Sequence, residues 1–356
     1  MIEHTSLGGQ RVRIELSNTF GTKPLVIGAA HIAIRDKDSA IIPASDRTLL
    51  FANRTTSWIP AGATVVSDPV DLDFPAATDL AVSIYIPDEA AADTMHPTGL
   101  HTTYISKEGN AAADASISNP ITTETYYWLT DIDVLAPSNA AAIVTFGDSI
   151  TDGFRSKIDT NHSWPAFLAQ RLETSGDHVA VLNEGISGNR LLRDGAGINA
   201  LARFDRDVLA QPGVKWVTIM LGINDIGLGS QSGTPAGEAV GAEDLIAGLK
   251  QLVDRAHEHG IQAIGCTLTP YEGATYYSEN GEQVRERVNQ WIRSGGGFDA
   301  VLDFDSVVRD PQHPNQIRAD FNDGDHLHPN DAGYKAMADA IDLSLFGLKP
   351  GSSNSR

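Results

Sequence analysis

The stretch Phe146-Gly147-Asp148-Ser149-Ile150-Thr151-Asp152-Gly153 follows a short, β-branched apolar run at residues 141–145. A run of that kind ending in glycine reads as a buried strand feeding a tight turn. Ser149 then stands at the carboxyl edge of a sheet, where open α/β folds place their ligands. A serine hydroxyl attacks well only when a base takes its proton and a third group holds that base. Such a pair exists in Asp323-Gly324-Asp325-His326-Leu327-His328-Pro329. The spacing of Asp325 and His328 lets the carboxylate reach the imidazole on a turn and fix its tautomer. An attack on a carbonyl also needs donors for the developing oxyanion. Gly188, in the segment 183–190, can present an open backbone N–H, and Asn224, in Gly222-Ile223-Asn224-Asp225, offers a side-chain amide. Asp152 and Asn189 flank these motifs and read as loop-stabilising residues, and Asp148 reads as a cap for its own turn.

Each feature has a blander explanation. Gly-Asp-Ser alone is commonly an ordinary turn. Asp325-His326-Leu327-His328 has the composition of a metal site, but no second His or Asp group with ligand spacing accompanies it, so no metal or cofactor is expected. His326 is then a neighbour that lines the cleft. His257-Glu258-His259 sits at a predicted helix end and reads as a solvated face that complements the helix dipole. The elbow Gly-x-Ser-x-Gly does not occur around Ser149, which argues against the α/β-hydrolase fold.

The elements that would carry these residues fall into two blocks. Residues 1–137 read as an all-β sandwich or jelly roll. Apolar and polar residues alternate over 11–17 and 80–86, with shorter strands at 25–27, 64–66, 70–74 and a last one over 126–134. After a linker at 136–139, strand-like runs alternate with amphipathic helices over 138–348, which implies a parallel sheet covered on both faces. The helix predicted over 243–259 has Leu245, Ile246, Leu249, Leu252, Val253 and Ala256 on one stripe, acids first and bases last. Another helix contains Val284, Val288, Trp291 and Ile292, and Met337, Ile341 and Leu345 mark the last one. Residues 229–235 read as a flexible loop, either at the substrate cleft or a plain surface loop, and 349–356 as a disordered tail.

Length and composition agree with two domains: 356 residues, 41% hydrophobic and 20% charged. The net charge of −20 argues against nucleic-acid or anionic-membrane partners and suits solubility at high salt. No apolar run reaches the ~20 residues that span a bilayer, and no signal peptide is visible at the start. The single cysteine, Cys266, lies in an apolar strand-like run and reads as an inert core thiol. Oligomeric state is not legible.

Taken in order, Gly147-Asp148-Ser149-Ile150, Ser187-Gly188-Asn189, Gly222-Ile223-Asn224-Asp225 and Asp325-His326-Leu327-His328 resemble the four blocks of the SGNH (GDSL-type) hydrolase superfamily. Isoleucine after the serine departs from the family's usual leucine. The resemblance spans residues 141–346 and implies a three-layer α/β/α hydrolase domain. It implies a Ser149, His328, Asp325 triad, and an oxyanion hole from the Ser149 N–H, the Gly188 N–H and the Asn224 amide. The β-rich front looks like that of a larger branch of the family that includes xylan-associated esterases, whose members often start further upstream with a secretion signal. The implied activity is serine esterase hydrolysis of short acyl esters, acetyl among them, through an acyl-enzyme, with an acetylated glycan such as xylan as a candidate substrate. The alternatives are a carbohydrate-binding protein with a vestigial site and a metallohydrolase using His326 and His328.

Overall fold

The computed structural model describes residues 1–107, 109–176, 178–229 and 239–347. These form two compact units, 1–138 together with 158–160, and 139–157 together with the residues from 161 onward. Residues 158–160 follow the first unit because Asp159 is held there: its carboxylate accepts from the Thr102 N–H at 2.8 Å and the Thr102 hydroxyl at 2.6 Å. The loop expected over 229–235 lies outside the described residues beyond Gly229, as does the tail at 349–356.

The first unit is antiparallel. Its strand Gly9–Ser17 turns Val12, Ile14 and Leu16 inward while Arg11 and Arg13 face solvent, which is what a period of two dictates. That strand pairs with Leu129–Val134, Thr64–Val66 and Val70–Phe74. A second sheet places Asp79–Tyr85 between Ile2–His4 and Ala29–Lys37. One hydrophobic cluster draws on both sheets, joining Val12, Ile14 and Leu16 to Ile32, Leu80 and Val82, so the sheets close face to face as a sandwich. Each such side chain contributes about 1.5–3 kcal/mol on burial. The strand predicted over 126–134 is in fact two, Tyr126–Tyr127 and Leu129–Val134. Trp128 breaks it with φ of 60°. Its N–H bonds Thr94 and its carbonyl accepts from Ser17, so the chain turns from one partner to another at that residue.

The second unit is built on five parallel strands: β1 (Ala141–Gly147), β2 (Val179–Gly185), β3 (Val214–Met220), β4 (Gln262–Cys266) and β5 (Ala300–Leu302). Their spatial order is β2-β1-β3-β4-β5. Every residue of β1 is buried, as a central strand covered on both faces requires. The connecting helices are α1 (Ser149–Asp152), α2 (Trp164–Ser175), α3 (Ala200–Phe204), α4 (Ile223–Gly229), α5 (Ala242–Glu258), α6 (Glu279–Arg293), α7 (Phe304–Val308) and α8 (Asp331–Asp339). They pack in two groups, α2 and α7 with α8, and α3 and α6 with α5, giving the α/β/α layering. Helix α5 buries Leu245, Leu249, Leu252, Val253 and Ala256 as the spacing predicts, with Glu243 and Asp244 in its first turn and Arg255 and His257 in its last.

The last helix is shorter than its apolar pattern suggests. α8 stops at Asp339, and Leu343–Phe346 forms a separate 3-10 turn whose Asp342 side chain accepts from Ser344 N. The Ala338 carbonyl at the end of α8 accepts from Ile341 N and from Arg171 of α2, which also takes the Ile341 carbonyl beyond the helix. Cys266 is buried at the end of β4, and burial pushes its thiol well up.

Candidate active site

In register, Gly147 of β1 faces Gly185 of β2 and Met220 of β3. The three strands therefore end level, and the loops that follow them share one sheet edge. At the end of β1 the Asp148 side chain accepts from Ile150 N at 3.0 Å and starts α1. This puts Ser149 at the first helical position, 4% exposed. Gly153 ends the turn with φ of 100°, and the N–H groups of Gly153 and Phe154 both bond the Ser149 carbonyl. The serine is thus held by a closed backbone loop rather than by a long helix.

The Asp325 segment forms a turn stabilised by its own carboxylate: Oδ1 accepts from the N–H groups of Leu327 and His328, each at 2.9 Å. Oδ2 lies 2.7 Å from His328 Nδ1, and His328 Nε2 lies 2.8 Å from Ser149 Oγ. With the Nδ1 proton bonded to Asp325, Nε2 is left to accept from the serine hydroxyl. Burial disfavours the charged carboxylate, but the hydrogen bonds from the His328 ring and from the two backbone N–H groups outweigh it, holding Asp325 well below the usual carboxylate range. Asp325 is therefore ionised at neutral pH. Phe154 packs its edge on the His328 ring, 4.9 Å between centroids, and limits how far the ring can swing. Arg155 Nε sits 3.4 Å from Asp323 and 3.7 Å from Asp325 at the rim.

After β2 the chain turns at Gly188, whose φ of 80° only glycine adopts without strain. Asp152 fixes the approach to this turn, its carboxylate accepting from the N–H (2.9 Å) and hydroxyl (2.6 Å) of Ser187. Asn189 is buried, donating to the carbonyls of Ala196 and Ile198. Both residues hold loops together, as expected of them. After β3, Asn224 opens α4 and donates through Nδ2 to the Asn189 carbonyl at 3.1 Å, which ties the third loop to the second. The neighbouring Asp225 carboxylate accepts from Leu191 N and Leu192 N at 2.7 and 3.0 Å.

The sequence reading missed a residue that binds these loops from below. Arg203 of α3 is completely buried against the Phe146 ring, 4.1 Å from its centroid. Its guanidinium donates to the carbonyls of Gly147 and Glu184, to Asn189 Oδ1 and to the Asp207 carboxylate, all at 2.8–3.0 Å. One side chain thereby links the residue before Asp148-Ser149 to the segment that carries Gly188. A lone arginine in Ala-Leu-Ala-Arg-Phe was its only sequence signal. His326, expected to line the cleft, is exposed with φ of 61°, and its Nδ1 bonds Asn322. Among the described residues no group of three or more His, Cys, Asp or Glu is placed to hold a metal ion.

Among solved structures the chain is similar to a candidate lipolytic protein of the G-D-S-L family from Desulfitobacterium hafniense DCB-2 (26% identity, TM-score 0.43, covering 56% of this chain and 97% of that one). It is also similar to an acetylxylan esterase from Geobacillus stearothermophilus (24%, 0.45, 60% and 98%). A further similarity is to an alpha/beta hydrolase enzyme from the metagenome of Lake Arreo, Spain (24%, 0.45, 59% and 98%). No curated protein matches the chain. The model of the GDSL-like lipase/acylhydrolase family matches residues 143–341, more than half of the chain, and the protein belongs to that family of carboxylic ester hydrolases.

Proposed function

We propose that the protein is a serine esterase that cleaves short acyl esters, acetyl esters in particular, through an acyl-enzyme. The observation that carries this reading is the unbroken hydrogen-bond chain from Asp325 through His328 to Ser149. In the proposed cycle Ser149 Oγ attacks the ester carbonyl as His328 Nε2 takes its proton. The Ser149 N–H, the Gly188 N–H and the Asn224 amide stabilise the oxyanion. His328 returns the proton to the departing alcohol, and water, activated by the same imidazole, releases the acid. Asp325 keeps His328 in the productive tautomer throughout.

The preference for a short acyl group is supported by burial. Ser149 and His328 are 4% and 7% exposed, which favours a small group at the nucleophile. A long-chain lipase would need apolar surface for its lipid, yet all the exposed large hydrophobic side chains among the described residues lie between Phe20 and Leu135, in the first unit. The β-rich front, which looks like that of the xylan-associated branch, makes acetyl groups on a glycan the substrate class to examine first.

The test is intact-protein mass after treatment with a serine-directed organophosphonate, with peptide mapping, an EDTA-treated control and the Ser149→Ala variant. A single adduct on Ser149, indifferent to EDTA and absent from the folded variant, is expected. Acetylated xylan and a ladder of p-nitrophenyl esters from acetate to octanoate then define the acyl group, with acetate expected to give the highest kcat/KM. An adduct elsewhere, or full turnover by Ser149→Ala, would refute the nucleophile assignment, and octanoate above acetate would refute the short-acyl preference.

A further inference from the structure

The segment between β4 and α6 makes no appearance in the proposed cycle, yet it reaches the Asn224 amide. Tyr276 donates its hydroxyl to Asn224 Oδ1 at 3.2 Å, while Asn224 Nδ2 donates to the Asn189 carbonyl at 3.1 Å. A primary amide has two N–H donors and an acceptor oxygen, so these two bonds leave one N–H uncommitted. They also select one of the two flips of the amide. The inverted flip would set Oδ1 against the Asn189 carbonyl and lose the Tyr276 hydroxyl as a donor to oxygen. We propose that Tyr276 is a positioning residue for the oxyanion hole: its hydroxyl locks the Asn224 amide with the free N–H available to the oxyanion.

The ring has one place to be. It lies over Gly227 of α4, where a Cβ would come within 2.3 Å of it, so α4 carries glycine at the contact. Tyr271 packs beside it, 6.1 Å between centroids. Burial raises the Tyr276 phenol well above its ordinary value, and the nearby Asp148, Tyr271 and Asp325 add to the shift, so it stays a proton donor across the working pH range. The same segment also touches the far side of the site. A Cβ at Gly273 would fall 2.8 Å from His326 Cγ, and the Glu272 N–H bonds the Asn315 carbonyl. Residues 270–277 thus brace the loop of Asn224 and the loop of Asp325 and His328 together. An electrostatic donor works only if it is already oriented when charge appears, because any reorientation then adds to the barrier.

This inference rests on Asn224 acting in the oxyanion hole, and the experiment separates the two. Steady-state kinetics with p-nitrophenyl acetate are measured for the full chain, Tyr276→Phe, Asn224→Ala and the double variant, with a thermal melt of each. Tyr276→Phe, which keeps the ring, is expected to melt as the parent does and to lower kcat about tenfold, with KM within about twofold. Asn224→Ala is expected to lose ~10²–10³ in kcat. On that background Tyr276→Phe is expected to change nothing further, because the amide it orients is gone. A wild-type kcat in Tyr276→Phe, or the same tenfold loss in both backgrounds, overturns the role of Tyr276 and leaves Asn224 standing. A wild-type kcat in Asn224→Ala overturns both.

Discussion

Asp148, the residue before Ser149, is a fully buried carboxyl with one oxygen left unbonded. Oδ1 caps α1, but Oδ2 is buried with no hydrogen-bond partner among the described residues. Burial pushes the carboxyl up to about 7; the Ile150 N–H and Arg203 oppose this, and Asp225 and Asp152 reinforce it. In the unfolded chain the same group titrates near 3.8. Between those values the folded protein binds a proton that the unfolded chain does not. The contribution of Asp148 to stability is therefore full below about pH 4 and falls as pH rises towards 7. Asp148→Asn keeps the capping acceptor and removes the titration. Compared with the parent, this variant is expected to be similar in stability near pH 4.5 and more stable at pH 8, by roughly 1–4 kcal/mol. Urea midpoints at the two pH values check this, and a constant difference between the two proteins would contradict it.

At the scale of elements, the site depends on three strands that end level and on what ties their loops. α3 does this through Arg203, which spans the ends of β1 and β2 with charge-assisted bonds. Each buried acceptor that loses a donor costs about 1–3 kcal/mol. Arg203→Met, which keeps volume, removes the donor to the carbonyls of Gly147 and Glu184 and to Asn189 Oδ1 while Asp207 keeps its pairing with Arg206, and is expected to lose at least one such increment by urea denaturation. Arg203→Met combined with Asp207→Leu should recover neither the stability nor the activity, since the bonds from Arg203 to the carbonyls of Gly147 and Glu184 stay lost. Recovery of both would reduce Arg203 to a charge-balancing role. The elements whose periodicity was strong, such as α5 and the strand Gly9–Ser17, lie where the sequence predicts. The misjudged ones end for reasons outside their own pattern: Trp128 turns because Thr94 and Ser17 claim its backbone, and α8 stops where Arg171 takes the Ala338 carbonyl.

For the whole molecule, the formal net charge of −20 is a source of self-repulsion spread over the surface. Raising the salt from about 20 mM to about 300 mM shortens the screening length from roughly 20 Å to roughly 6 Å. Stability is expected to increase over that range to the same extent in NaCl and KCl, read as the urea midpoint at pH 7.5. A flat or falling response would mean that attractive ion pairs, such as Arg203–Asp207 and Arg285–Asp305, outweigh the net repulsion. The same charge gives no help in choosing between a free acyl ester and an acetylated glycan, both of which are uncharged at the reacting group.

The sequence by itself determined whatever depends on neighbours along the chain. It gave away the strand before Ser149, the short turn in which Asp325 meets His328, and the alternation of strands and helices that makes a parallel sheet. Those follow from periodicity, capping and spacing, which act over a few residues. Only the tertiary structure decided that His328 Nε2 reaches Ser149 Oγ across 179 positions, that Arg203 ties two strand ends, and that Tyr276 bonds Asn224. Neither Arg203 nor Tyr276 stands out in the sequence, because a buried hydrogen bond between distant residues is set by how layers pack and leaves no local pattern.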